Sequence, residues 1–173
     1  MIHRCIMIFP KFDNIELLED IRSQFDPLYK HVAPHISLVF PFKSELTTGA
    51  IEDHIKVICA NIRPFRICLK GISQEDHGFM FLNIVEGKGQ LVDLHQKLYQ
   101  GLLTEFYPNY LRGNPYKPHM TVGRILDKTD LARIVEQYKN FEQLFEDEVQ
   151  DISVEIIDDN EDSNIEITIS LRE

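Results

Sequence analysis

The chain has 173 residues, 43% of them hydrophobic and 27% charged, which fits one folded domain and excludes disordered, collagen-like and membrane-spanning classes. Its formal charge of −10 is unevenly spread: residues 1–139 hold 17 Lys+Arg and 16 Asp+Glu, whereas residues 140–173 hold 1 and 12. The acidity therefore belongs to the C-terminal segment and does not exclude an anionic ligand, but the lack of any Lys/Arg cluster argues against a long nucleic-acid footprint.

Taken in chain order, the pattern predicts a strand over 2–9 and a helix over 14–25. That helix would have Asp13 and Glu16 spaced as a capping box and Leu18, Ile21 and Phe25 on one face. Pro34 precedes a strand at 35–40. A second helix spans 47–62, with Ile51, Ile55, Ile58 and Ile62 at helical spacing. A strand at 64–72 leads through the Glu75-Asp76-His77-Gly78 turn to a strand at 79–85. A long helix is expected at 89–106, carrying Leu91, Leu94, Leu98 and Leu102, then a Pro-rich loop from Pro108 to Pro118. A strand at 119–125 and a helix at 129–140 follow. Two strands close the chain, around Ile152–Ile156 and Ile165–Leu171, joined by the acidic turn 158–164. The acidic run 146–162 reads as a solvated hairpin whose charges protect a sheet edge.

This order is βαβαβ followed by βαβαβ plus one strand, an α+β architecture of duplicated units. No apolar stretch reaches the ~18 residues of a membrane helix. The N-terminal run Met1–Phe9 reads as a strand rather than a signal peptide, so the cytoplasm is the expected location. Three cysteines, Cys5, Cys59 and Cys68, lack metal or disulfide spacing and sit among apolar residues, as core positions do.

The chemistry is concentrated in two strand openings. Pro34-His35-Ile36-Ser37-Leu38 and Pro118-His119-Met120-Thr121-Val122 both read Pro-His-apolar-hydroxyl-apolar, 84 residues apart. On a strand, residues i and i+2 share a face, about 6.5–7 Å apart. Each strand thus presents an imidazole and a hydroxyl on one side and core on the other. A single copy is weak evidence, since lone strand histidines are common. Two copies on equivalent strands of a duplicated unit are hard to explain by packing. Facing each other, they suit phosphodiester chemistry. A neutral imidazole takes a proton from the attacking oxygen and an imidazolium gives one to the leaving oxygen. The hydroxyls donate to the non-bridging oxygens.

These paired His-x-Ser/Thr motifs resemble the signature of the two-histidine (2H) phosphoesterase superfamily, which includes 2′-5′ RNA ligase-like proteins and cyclic nucleotide phosphodiesterases. Within it, the chain resembles the small phosphoesterases of Gram-positive bacteria. Serine at position 37 stands where threonine is more usual. The resemblance spans essentially the whole chain. It implies one two-lobed domain over residues 1–173, with a 2′-5′ RNA ligase-like fold around a central cleft. It also implies metal-independent attack on a 2′,3′-cyclic phosphate or related RNA-derived phosphodiester. His35 and His119 carry over as catalytic residues, Ser37 and Thr121 as substrate-binding residues, with no metal or other cofactor. The expected partner is a nucleotide or short RNA end. RNA end ligation, or nucleotide binding without turnover, are the alternatives.

Around these four residues the expectations are plainer. His31 and His35 have a four-residue metal spacing that Pro34 breaks. His54 and His95 read as solvated or rim residues on helices, and His77 as a turn residue. Gly87-Lys88-Gly89 reads as a turn. Phe9, Phe40 and Phe42 read as core, and Tyr116 as rim. Lys43, Lys117 and, despite its strand parity, Arg124 are candidates for positive potential at the pocket. The turn 158–164 is expected to lie away from the pocket mouth, because its charge would repel a phosphodiester.

Overall fold

The computed structural model describes residues 1–172 and contains two four-stranded antiparallel sheets with four helices. The elements are β1 (Ile2–Ile8), α1 (Ile15–Phe25), β2 (Ile36–Ser44), α2 (Thr48–Cys59), β3 (Phe65–Gln74) and β4 (Phe79–Glu86). Then come α3 (Lys88–Leu98), β5 (His119–Arg124), α4 (Lys128–Gln137), β6 (Leu144–Val149), β7 (Asp151–Ile157) and β8 (Ser163–Ser170). One sheet has the order β2-β1-β7-β8 and the other β5-β4-β3-β6. The sheets do not coincide with the two βαβαβ units: β3, the last strand of the first unit, joins β4 and β5 in the second sheet, and β7 and β8 complete the first.

Two of the four helices are exchanged between the sheets. α1 leaves β1 of the first sheet but packs on β5 of the second, while α3 leaves β4 of the second and packs on β2 of the first. α2 covers β8, and α4 covers β3. At one crossing Gly123 makes the approach possible, because a Cβ there would lie 2.8 Å from the Cβ of Phe25 on α1. One continuous apolar core runs through both halves, from Ile6, Leu18 and Ile55 to Leu69, Leu94 and Val122.

β1 shows how the sequence builds the layers. As a central strand it is covered on both faces, so its apolar run is nearly continuous. Ile6 and Ile8 join the main core, whereas Cys5 and Met7 point the other way and form a small cluster with Val32. Arg4, fully buried, is neutralised by Glu166 of β8, with Nε–Oε2 at 2.6 Å and Nη2–Oε1 at 2.8 Å.

Three local expectations differ from the structure. The Asp13/Glu16 capping box is absent: Asn14 caps α1, and its side-chain amide donates instead to the Leu144 carbonyl at 3.2 Å. The long helix ends at Leu98 rather than 106, because Gly101 takes a left-handed φ of 58° and Gly101–Phe106 continues as 3-10 turns. Residues 144–149 are not part of a solvated hairpin but form β6, an edge strand paired antiparallel to β3. Phe145 and Val149 are buried there, while Glu146 pairs with Arg66.

Candidate active site

The two sheets meet at their edge strands β2 and β5. The side-chain alternation of the motifs is the one the sequence predicts. Ile36, Leu38, Met120 and Val122 are fully buried, and His35, Ser37, His119 and Thr121 line one cleft of about 820 Å³.

The two histidines are held alike. His35 Nδ1 lies 2.9 Å from the Ala33 carbonyl, and His119 Nδ1 lies 2.7 Å from the Lys117 carbonyl. A carbonyl only accepts, so each Nδ1 carries the proton and each Nε2 is left free for chemistry. Both contacts reach back two residues, across the proline that opens each motif. That proline favours extended backbone in the residue before it, which brings the carbonyl under the ring.

Burial holds both imidazoles below their ordinary pKa. For His35 the Ala33 carbonyl works against this, and the charges of Arg22 and His119 add to it while Asp26 opposes. For His119 the Lys117 carbonyl and the Glu75 carboxylate oppose burial, and the Lys117 ammonium reinforces it. His119 also stacks on Phe81, with ring centroids 3.6 Å apart and planes 12° apart. Behind it, Glu75 accepts from Lys117 Nζ at 2.5 Å and from Ser73 Oγ at 2.8 Å. Burial would raise the Glu75 carboxyl, but these bonds outweigh it and leave the pKa lowered.

A buried brace connects the motifs. Tyr116, three residues before His119, donates its hydroxyl to the Ser37 carbonyl at 2.8 Å. His95 stacks on Tyr116 at 3.8 Å and donates Nδ1–H to the Leu38 carbonyl at 2.7 Å. The Phe40 amide donates to the Tyr99 hydroxyl at 2.9 Å. The non-hydrogen-bonded side of edge strand β2 is thereby satisfied by side chains. His95 is 1% exposed, so it is neither solvated nor at a rim. Tyr116 is likewise buried while still lining the cleft.

The remaining lining comes from several elements. β1 supplies His3, Cys5 and Met7 as the floor, and burial pushes the Cys5 thiol up to about 12, so it is inert as a nucleophile. Phe79 and Phe81 of β4 form one wall. Phe40, Tyr110 and Tyr116 meet edge-on at 5.8–6.2 Å along another. Phe42 is core, as read; Phe40 is not, and Phe9 lies half-buried 6.2 Å from His35. His77, held at φ 58° beside Gly78, overhangs the cleft. A Cβ at Gly78 would lie 2.4 Å from the Ile125 carbonyl oxygen, so this turn admits no other residue. Four of the seven histidines of the chain therefore reach the cleft. His3 was legible only from strand parity with Cys5 and Met7, and Phe81 only from its pairing with Thr121.

Three expectations about charge need correction. The turn 158–164 does not lie away from the mouth: Ile157, Glu161 and Ser163 line the cleft. β7 sits beside β1, so the β7–β8 hairpin tip lands on the loop before β2. There Ser163 N–H donates to the His31 carbonyl at 2.9 Å, and His31 Nδ1 meets Asp162 at 2.8 Å. Lys43 stands outside the lining, next to His3 in register, whereas Lys117 is part of it. Strand parity misplaced Arg124, because a bulge between the pairs Met80↔Gly123 and Phe81↔Thr121 returns it to the face of Phe79. Its guanidinium lies 5.0 Å over the Phe79 ring, outside the lining.

A sequence model of the 2′-5′ RNA ligase superfamily matches residues 10–161, a span that includes both motifs. The chain belongs to that superfamily. It is 28% identical over 132 residues to "Putative phosphoesterase OB1230" of Oceanobacillus iheyensis, covering 75% of each protein. It is 26% identical over 153 residues to "Putative phosphoesterase GK0864" of Geobacillus kaustophilus, covering 83% of this chain and 82% of that protein. In fold it is similar to TT0787 of Thermus thermophilus, with a TM-score of 0.68 over 98% of both chains at 14% identity. LigT of E. coli in apo form gives a TM-score of 0.61 over 99% of this chain and 98% of LigT, at 14% identity. The α+β architecture of two antiparallel sheets is shared with both.

Proposed function

We propose that the protein is a phosphodiesterase that opens a 2′,3′-cyclic phosphate, or a related RNA-derived phosphodiester, with His35 and His119 as its acid–base pair. The observation that carries this reading is the matched Nδ1–H···O=C bond of the two histidines, which leaves two free Nε2 atoms in one cleft. One Nε2, neutral, takes a proton from water as its oxygen attacks phosphorus. The other, protonated, gives its proton to the departing ribose oxygen. Ser37 and Thr121 hydroxyls donate to the non-bridging oxygens, where charge concentrates in the transition state. The walls of Phe40, Tyr110, Phe79 and Phe81 suit a stacked base. LigT, whose fold is similar, has been crystallised with 3′-AMP, which supports a nucleotide as ligand.

The test is turnover of 2′,3′-cyclic mononucleotides, followed by phosphorus NMR, with EDTA present. Hydrolysis to a nucleoside monophosphate in EDTA is the expected result. Loss of turnover in EDTA with recovery on a divalent ion would overturn the metal-independent mechanism, and joining of RNA ends without hydrolysis would assign ligation instead.

A further inference from the structure

We infer that the cleft is built for a ligand carrying a single phosphodiester on a neutral, largely apolar remainder, and that Glu161 excludes chains bearing further phosphates. This rests on the phosphodiesterase reading above and names the substrate class of that same site.

Three observations carry it. First, fixed positive charge is scarce. Among the described residues lining the cleft, Lys117 is the one lysine or arginine, and Glu75 already lies 2.5 Å from its ammonium. Arg124, over the Phe79 ring, and Lys43, opposite His3 in register, flank lining residues but are not part of the lining. A groove that follows a nucleic-acid backbone needs a track of cations, and none lines this one. Second, Glu161 is an exposed acidic residue of the lining, and no ion pair among the described residues involves it. The turn that carries it is held in place: Asp158 Oδ1 accepts from the amides of Asn160 at 2.8 Å and Asp162 at 3.0 Å, and Asp162 is tied to His31. Third, the surfaces leading away from the histidines are apolar on both sides, Leu28, Val32 and Ile157 towards the hairpin and Phe40, Tyr110 and Leu111 opposite. A nucleobase is accommodated by such walls, whereas a second phosphate would have to be desolvated against them or held beside Glu161.

The salt dependence then has a distinctive sign. Proteins that follow a nucleic-acid backbone lose affinity as salt rises. Here repulsion dominates for any chain longer than one nucleotide, so added salt should improve its use. The screening length falls from about 30 Å at ~0.01 M to about 8 Å at ~0.15 M.

The experiment compares kcat/KM for a cyclic mononucleotide with that for an RNA of about ten nucleotides ending in the same cyclic phosphate. It is run at both salt concentrations, with the intact protein and with Glu161→Gln. We expect the mononucleotide to be favoured by roughly tenfold at low salt and the ratio to shrink several-fold at high salt. Glu161→Gln should raise the value for the RNA more than that for the mononucleotide. A preference for the RNA, a decline in its kcat/KM with salt, or a ratio indifferent to Glu161→Gln would each overturn the inference. If neither substrate is hydrolysed, the phosphodiesterase reading falls. Equilibrium binding of a nucleoside 3′-phosphate and of the 3′-phosphorylated RNA over the same salt series then decides the charge argument by itself. Tighter binding of the nucleotide, with RNA binding strengthened by salt, upholds it, and the reverse order overturns it.

Discussion

His35 and His119 each commit one ring nitrogen to the backbone and keep the other for the cleft. Both are half-buried, so replacing either by Ala removes a proton relay at modest cost in packing, the stack on Phe81 in the case of His119. We expect His35→Ala and His119→Ala each to lower kcat by roughly 10²–10⁴-fold while the circular dichroism spectrum and thermal midpoint stay close to those of the parent. A variant that fails to fold would make that histidine structural. The pH profile follows from the lowered pKa values. A depressed imidazole keeps its proton only at lower pH, so the acid partner is lost as pH rises through that lowered value. The bell of kcat/KM, which reports the free enzyme, should begin its alkaline decline below pH ~6.5, the ordinary imidazole value. Glu75→Gln removes a carboxylate that lifts His119, so it should shift one limb further towards acid. An alkaline decline beginning above neutrality would contradict the burial argument. At this scale the four motif residues were legible because period-2 alternation is a backbone property. His95 and Arg124 were not. Their surroundings depend on an exchanged helix and on a bulge, neither of which leaves a local pattern.

Among the elements, β2 and β5 are both edge strands carrying a motif, and the side-chain brace of Tyr116, His95 and Tyr99 falls on β2. The Tyr116 hydroxyl satisfies its Ser37 carbonyl from the loop that leads into the other motif. Tyr116→Phe leaves that carbonyl without a partner. We expect a loss of about 1–3 kcal/mol in stability, read by denaturant unfolding, with a fall in kcat larger than the change in KM as Ser37 shifts. Gly123→Ala should destabilise by about 1–3 kcal/mol, since its methyl would enter the contact between β5 and α1. A neutral result would mean that the helix can retreat without cost. Most elements were readable from their apolar spacing. β6 was not, because Glu146, Asp147 and Glu148 outnumber the Phe145 and Val149 that face the core. The end of α3 was missed for the opposite reason: Leu102 and Leu103 continue an apolar pattern after Gly101 has already turned the backbone.

For the whole molecule, the separation of a nearly neutral body from an acidic C-terminal segment was plain in the sequence, but its consequence was not. Repulsion alone would send the hairpin away from a phosphate site. Strand order prevails, because β7 must pair with β1 and so brings Glu161 to the cleft. Position in a sheet is worth many hydrogen bonds and much buried area, whereas repulsion at one exposed charge costs the fold little. The exchange of α1 and α3 has a mechanical consequence. Swinging either half would drag the other's helix out of its core, so we expect the cleft to work without a hinge. On that expectation substrate enters a mouth of fixed width, with no binding energy diverted into closure. Small-angle scattering should give the same radius of gyration with and without a nucleotide, and hydrogen exchange on β2 and β5 should report a single opening event shared by both. The selectivity of such a rigid slot must come from what its walls refuse rather than from what they wrap around.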